Sequence, residues 1–233
     1  MTVTLSQEAD GWYVCFSCVE VPLHPLPPTG RETGIDVGLM VFLVTAEGDR
    51  VENPRHYRRG EKRLAKAQRR VSRRQKGSNR RKKAVQLLAR AHQHVRRQRR
   101  DFHHTTALAL LRTYDGIYLE DLRVANMLRN RSFAKSISDA GWAAFRTILD
   151  AKAAWAGRRV VAVPPAYTSQ DCSGCGARVQ KSLSVRTHLC PSCGLVLDRD
   201  ANAARNILRA GQARHGAEAM ATALKRESPG FSR

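Results

Sequence analysis

Two cysteine pairs, Cys172-Ser-Gly-Cys175 and Cys190-Pro-Ser-Cys193, stand directly before an acidic, alanine-rich run, Asp198-Arg-Asp200-Ala-Asn202-Ala-Ala. A structural zinc ion takes four thiolate or imidazole ligands at the corners of a tetrahedron. Two Cys-x-x-Cys turns supply that set, because each short turn aims both sulfurs at one point. The 14 residues between Cys175 and Cys190 fall just short of the usual ribbon spacing, a difference that a hairpin absorbs. Gly174, Gly176 and Gly194 offer the tight backbone such knuckles need. Redox dithiols are the rival reading, and zinc is preferred. The run that follows reads as a helix starting at Asp200, so the expected metal knot is joined to a helix that opens on a carboxylate.

Cys15 and Cys18 share the spacing but lie on an expected strand, where residues three apart face opposite sides. They are expected to be buried strand residues rather than ligands. His188 is close to Cys190, but four cysteines already complete a tetrahedron.

Lys and Arg number 41 against 20 acids, a net charge of +21. A polyanion is the natural partner of so basic a chain, and nucleic acid is the commonest one. An acidic membrane surface would require a broad apolar helix face, which the basic stretch lacks. No secretory signal opens the sequence, and no apolar run approaches the roughly 20 residues of a membrane span. Four of six cysteines in tight pairs argue for metal over a disulfide scaffold. The expected location is the cytoplasm, with the nucleoid.

The positive charge is concentrated. Nineteen Lys or Arg lie between Arg58 and Arg100, with Glu61 as the one acid. Leu64, Ala67 and Val71, then Leu87, Leu88, Ala91 and Val95, fall at helical spacing, and Gly77-Ser-Asn79 is a turn signal. The stretch 58–112 therefore reads as a basic helical hairpin. A solvated face is the bland alternative, but unpaired like charges repel, and phosphates are the matching counter-charge. The candidate contacts are Arg69, Arg70, Arg73, Arg74, Lys76, Arg80, Arg81, Lys82, Lys83, Arg96 and Arg97. Few aromatics are interleaved, which favours phosphate contact over base stacking.

Elsewhere, residues 1–21 and 33–52 read as strands, separated by a connector with Pro22, Pro25, Pro27, Pro28 and Gly30. Gly116–Glu120 and Arg159–Val163 are short strands, and 141–155 is an amphipathic helix. The polar stretch 126–138 is expected to be loop. The last helix is expected from Asp200 to about Ala210.

Three acids stand out. Asp36 interrupts an apolar strand, where a charge is costly without a partner. Glu120 ends another strand. Asp200 opens a helix, although either it or Asp198 could serve as a simple N-cap. Glu120 could equally face solvent. Together the three could hold two Mg²⁺ ions, since magnesium prefers carboxylate and water oxygens and a metal pair about 4 Å apart can polarise a phosphodiester.

Four segments carry a resemblance: Gly34-Ile-Asp36-Val-Gly38, Tyr118-Leu-Glu120-Asp-Leu122, Thr168-Ser-Gln-Asp-Cys172-Ser-Gly-Cys175-Gly, and Cys190-Pro-Ser-Cys193 through Asp200-Ala-Asn202-Ala-Ala. In this order they resemble TnpB, the OrfB-type protein of insertion sequences, a family similar to the type V CRISPR effectors. The resemblance implies an α/β, RNase H-like (RuvC-type) mixed sheet with flanking helices, a basic helical-hairpin insertion and an inserted zinc ribbon. It implies RNA-guided DNA cleavage, with DNA and a guide RNA as partners. Asp36, Glu120 and Asp200 take the catalytic places with Mg²⁺, and Cys172, Cys175, Cys190 and Cys193 hold zinc. The expected division is 1–30, remnant strands of an N-terminal lobe and linker; 31–166, nuclease core; 167–196, zinc ribbon; 197–211, final helix; and 212–233, a tail, disordered or carrying one frayed helix. Family members usually carry a longer stretch before this region, so the chain reads as N-terminally truncated. A non-cleaving nucleic-acid-binding protein is the alternative.

Overall fold

The computed structural model describes residues 2–18, 21–182 and 184–227. Strands β1 (Thr2–Glu8) and β2 (Gly11–Ser17) form an antiparallel hairpin. The apolar run after the prolines folds as β3 (Glu32–Val37) and β4 (Val41–Thr45), followed by β5 (Arg50–Glu52). The β3–β4 turn is tight: Gly38 donates its N–H to the Phe42 carbonyl at 3.1 Å. The basic stretch forms helices α1 (His56–Ser72) and α2 (Asn79–Thr113). β6 (Gly116–Glu120), α3 (Val124–Met127), α4 (Arg131–Ala140), α5 (Trp142–Ala156) and β7 (Arg159–Val163) follow. The cysteine segment carries the small hairpin β8 (Thr187–Leu189) and β9 (Val196–Asp198), which leads into α6 (Arg199–Glu227).

The central sheet has five strands in the order β5-β4-β3-β6-β7. It is mixed: β3 runs antiparallel to β4 and parallel to β6, and β6 runs parallel to β7. The two-residue period of a strand sorts the side chains of β3 and β6. Ile35, Val37, Ile117 and Leu119 face one way and pack with Leu111 of α2 and Phe145 and Leu149 of α5. Gly34, Asp36, Tyr118 and Glu120 face the other way, toward α6, where Tyr118, Val163 and Ile207 are fully buried. The apolar face makes the main core, and the face that carries the acids is closed by a single helix.

The helical hairpin is closed by Leu64, Ala91 and Val95. Gly60 allows the close approach, since a methyl group there would lie 2.9 Å from a Val95 methyl. The start of α1 is satisfied from a distance: the buried Asp139 carboxylate accepts the N–H groups of Tyr57 (2.8 Å) and Arg58 (3.1 Å). A carboxylate there also complements the positive end of the helix.

Three expectations change. The stretch 126–138 is not loop, since α3 and α4 occupy most of it. Asn130 caps α4 by accepting the Ser132 N–H at 3.1 Å, and Gly141, at φ 68°, ends it. The segment is polar because the solvent side of α4 is polar; Ile137 and Ala140 are buried on the other side. Second, the last helix runs past Ala210 to Glu227; positions 228–233 lie outside the described residues. Gly211 does not stop it. A side chain there would meet the Tyr118 ring at 2.0 Å, so the glycine serves close packing. Third, Cys15 and Cys18 are exposed. The β1–β2 hairpin has solvent on both faces, including the paired Val3 and Phe16 and the paired Leu5 and Val14. It is tied to α2 at its tip, through Glu8 to Arg96 and Asp10 to Arg97.

The proline-containing connector is held down by Asp115. Its carboxylate accepts the N–H groups of Thr29 (2.9 Å) and Gly30 (2.7 Å) and pairs with Arg158 at 2.8 Å.

Candidate active site and metal centre

Parallel pairing of β3 with β6 sets Gly34 beside Tyr118 and Ile35 beside Leu119. The next residue on each strand is an acid, Asp36 and Glu120, and both point to the face covered by α6. The helix crosses at Gly34, where a Cβ would sit 2.1 Å from the Ala204 carbonyl oxygen and 2.5 Å from the Leu208 nitrogen. Asp200 lies one turn before Ala204, on the same side of the helix. Contact at Gly34 therefore puts Asp200 on the side of the sheet that carries Asp36 and Glu120, although among the described residues only the four cysteines have ligand atoms already close enough together to share an ion. All three acids are partly buried. Asp36 senses the other two: burial first, then the charges of Glu120 and Asp200, push its pKa well above the ordinary 3.8.

The other two acids are shifted the same way. Burial raises Glu120, against the pull of the Thr168 hydroxyl that donates to it. Burial and Asp198 raise Asp200, while Arg186 and Arg199 work in the opposite direction. Arg186 stands 3.7 Å from the Asp200 carboxylate. Asp198 is occupied otherwise. Its Oδ1 accepts the N–H groups of Asp200 (3.0 Å) and Ala201 (3.1 Å), which is the N-cap of α6, and its Oδ2 pairs with Arg50 at 2.7 Å.

These shifts have a sign. Below pH 3.8 Asp36 is protonated in both folded and unfolded chains and contributes no pH dependence. Above it the unfolded chain releases the proton while the folded chain keeps it, so stability falls as pH rises toward the elevated folded value. Each tenfold gain in folded-state proton affinity corresponds to about 1.4 kcal/mol. Metal-free D36N is therefore expected to melt higher than the wild type at pH 7, with the gap closing near pH 4. Thermal scans across that range check this; a gap that does not depend on pH would remove Asp36 from the cluster.

The four cysteines meet as their spacing predicts. Their sulfurs lie within 4.8 Å of one another, and Cys172–Cys193 and Cys175–Cys190 are each 3.6 Å apart. Zinc–sulfur bonds of about 2.3 Å place tetrahedral sulfurs about 3.8 Å apart, so the cluster has the composition and geometry of a structural zinc site. Each knuckle closes by a glycine N–H donating to a cysteine carbonyl at 2.9 Å, Gly176 to Cys172 and Gly194 to Cys190. Both glycines sit at positive φ, 79° and 71°, where a side chain is strained. Burial works against a thiolate at Cys190, but backbone N–H groups of Cys193 and Ser192 and the neighbouring thiols bring its pKa down to about 6.

The link between this centre and the acids went unnoticed in the sequence. Asn202 is fully buried. Its Oδ1 accepts the Ser173 N–H at 2.9 Å and its Nδ2 donates to the Asp171 carbonyl at 2.8 Å. Asn206 donates to the carbonyls of Thr168 (2.9 Å) and Asp171 (2.7 Å), and Arg209 donates to the Ser173 carbonyl. The period of four from Asp200 to the buried Ala204 was the available signal. An asparagine two places after the acid, on an otherwise alanine-lined helix face, marks the ribbon's lock.

The basic hairpin splits the expected contacts. Arg69, Arg70, Arg73 and Arg74 line a cleft of about 770 Å³ between α1 and α2. Lys76, Arg80, Lys82 and Lys83 are exposed around its closed end. Three others are engaged within the fold. Arg81 caps α1, donating to the carbonyls of Val71 (2.9 Å) and Arg74 (3.0 Å), while Arg96 and Arg97 hold the acidic tip of the β1–β2 hairpin. Sequence alone does not separate an arginine that is free from one used as a cap or a tie. No described helix is long and apolar enough to cross a membrane.

A family model described as "Probable transposase" (OrfB_IS605) matches residues 16–131. One described as "Cas12f1-like, TNB domain" matches residues 142–207. Among curated proteins, a "Putative RNA-guided DNA endonuclease" of Streptomyces pristinaespiralis is 44% identical over 215 residues, covering 91% of this chain and 53% of that protein. "Putative RNA-guided DNA endonuclease InsQ" of Escherichia coli K12 is 34% identical over 227 residues, covering 91% and 56%. The chain thus spans about half the length of the curated relatives it matches. The solved structure titled "Cryo-EM structure of the Cas12f1-sgRNA-target DNA complex" aligns with a TM-score of 0.56 at 17% identity, covering 88% of this chain and 55% of that one, a likeness of fold.

Proposed function

Because the chain belongs to the TnpB family of OrfB-type insertion-sequence transposases, we propose that it carries the RNase H-like (RuvC-type) core of an RNA-guided DNA endonuclease. In this reading Asp36, Glu120 and Asp200 bind Mg²⁺. The observation that supports it is the crossing of α6 at Gly34, on the face of the sheet that carries Asp36 and Glu120. Three hard oxygen donors, each with its proton affinity raised by burial or by a like-charged neighbour, suit a divalent cation. Bound there, magnesium would supply Lewis-acid activation of a phosphodiester and a low-pKa water.

The chain's own residues would do the rest. Asp198 caps α6 and leaves Asp200 free for the metal. Thr168 orients Glu120 by its hydroxyl, and Asn202 and Asn206 fix the zinc ribbon against the helix that bears Asp200. Arg69, Arg70, Arg73 and Arg74, with Lys76, Arg80, Lys82 and Lys83, would hold nucleic-acid phosphates, and affinity would fall as salt rises. DNA and a guide RNA are the proposed partners of the whole protein.

The test is cleavage of single-stranded DNA with Mg²⁺. The wild type is expected to cut, and D36A to cut on the order of a thousandfold more slowly, equivalent to several kcal/mol of lost metal stabilisation. Cutting that survives D36A overturns the site. Tight, salt-sensitive binding with no turnover by the wild type would select a binding role instead.

A further inference from the structure

A second cavity, of about 520 Å³, opens beside the acids at the carboxyl ends of β3 and β6. Glu120 forms part of its wall. Leu122, Val124, Trp142 and Phe145 make the cavity apolar inside, while Asp121, Asn126, Arg123 and Arg146 add polar and charged groups of both signs. Trp142 and Phe145 are buried and Phe145 packs against Phe42 and His103, so they form a fixed apolar floor to the cleft rather than free stacking faces. Arg146 is held by Asp150 at 2.7 and 2.9 Å. Arg123 is exposed and forms no ion pair among the described residues. Ligands commonly bind outside the carboxyl ends of parallel strands, and here those ends carry carboxylates on one side and an apolar cleft on the other.

We propose that this cleft receives an unstacked nucleobase of the strand whose phosphate lies at Asp36, Glu120 and Asp200. The inference rests on the nuclease reading for the identity of that strand. A phosphate at the acids carries its nucleosides with it, and a base entering a cleft lined by Trp142 and Phe145 must leave its own stack. An apolar cleft accepts any base without regard to its hydrogen-bonding edge, the Arg123 guanidinium can meet an adjoining phosphate, and the volume accommodates a base. Single strands or locally opened duplex are favoured, because extracting a base from an intact helix costs free energy.

Photo-cross-linking of a single-stranded DNA carrying 5-iododeoxyuridine, with zinc retained and no Mg²⁺ added, tests this without any turnover. The expected product joins the DNA to the peptide holding Trp142 and Phe145, equally in wild type and D36A, and falls about tenfold with a fully paired duplex. Ala143 and Ala125, exposed residues that line the cleft, are small enough to be enlarged. A143L, and independently A125L, are expected to lower that cross-link about tenfold while salt-dependent affinity stays within about twofold, since phosphate contacts set affinity. The proposal is overturned if cross-links fall only on α1 and α2, or if filling the cleft changes nothing, as when a polypeptide segment occupies it. Cutting without the cross-link removes the base site alone. The cross-link without cutting leaves the base site standing and removes the nuclease reading.

Discussion

Replacing Gly34 by alanine is expected to unseat α6. The added methyl would fall 2.1 Å from the Ala204 carbonyl oxygen and 2.5 Å from the Leu208 nitrogen. Both obstacles are backbone, so no rotamer change relieves them, and either the helix or the strand must move. Overpacking costs about 3 kcal/mol at the upper end of its usual range, reached here because backbone blocks relaxation, or roughly 10 °C in melting temperature for a chain this size. Any displacement also carries Asp200 away from Asp36, so Mg²⁺-dependent melting shifts should vanish with the stability. G216A supplies the opposite sign on the same helix. Nothing lies within 4 Å of the Cβ it would add, and trading glycine for alanine in a helix gains up to about 1 kcal/mol. Thermal unfolding of both variants checks this. A G34A protein that melts with the wild type would mean that α6 does not cross where described.

Stripping the metal from the cysteine cluster should have a still larger effect. Structural zinc in small modules is worth roughly 10 kcal/mol or more of folding free energy, and little within the ribbon itself would replace it. β8 and β9 are three residues each, and Leu189 and Val196 are exposed. With four unliganded thiols the knuckles open, and Ser173 and Asp171 leave Asn202. That strands a buried amide, at a cost of about 1–3 kcal/mol, at the start of α6. Chelation, or C190S, is therefore expected to abolish amide protection through the ribbon and to fray α6 from Arg199 to about Arg209. The five-stranded sheet should persist on its α2–α5 side. Hydrogen exchange by mass spectrometry reads both regions at once. Unchanged protection in the ribbon after chelation would show that the cysteines hold no structural metal.

Segments dominated by one physical rule are legible in one dimension. The Cys-x-x-Cys pairs had one economical arrangement, and it is the one found. Asp36 and Glu120 were singled out as acids at apolar strands, and they lie on adjacent strands facing α6. The basic hairpin was legible from helical spacing and charge. It was less legible which arginines were free, because Arg81, Arg96 and Arg97 differ from their neighbours only in what they reach across space. The polar 126–138 segment hid two helices for a similar reason: α4 shows mostly its solvent side, and its function is long-range, through Asp139 at the start of α1. The expected end of the last helix, at about Ala210, falls too early, because a glycine that ends a helix and one that lets a helix touch an aromatic ring, as Gly211 does, look alike in one dimension.

Local chemistry, then, settled which groups could act: four thiols with one matched geometry, a strand charge that burial penalises, and a run of cations without counter-ions. Folding alone settled what those groups meet. Asp200 reaches the strands because α6 has a glycine to press against, Asp198 is diverted into capping, and Asn202 couples the thiol cluster to the carboxylates. The Gly34 crossing joins residues more than 100 positions apart and the Asn202 bonds reach back 29 and 31 positions, and they depend on ångström-scale backbone approach, which no periodicity or composition encodes.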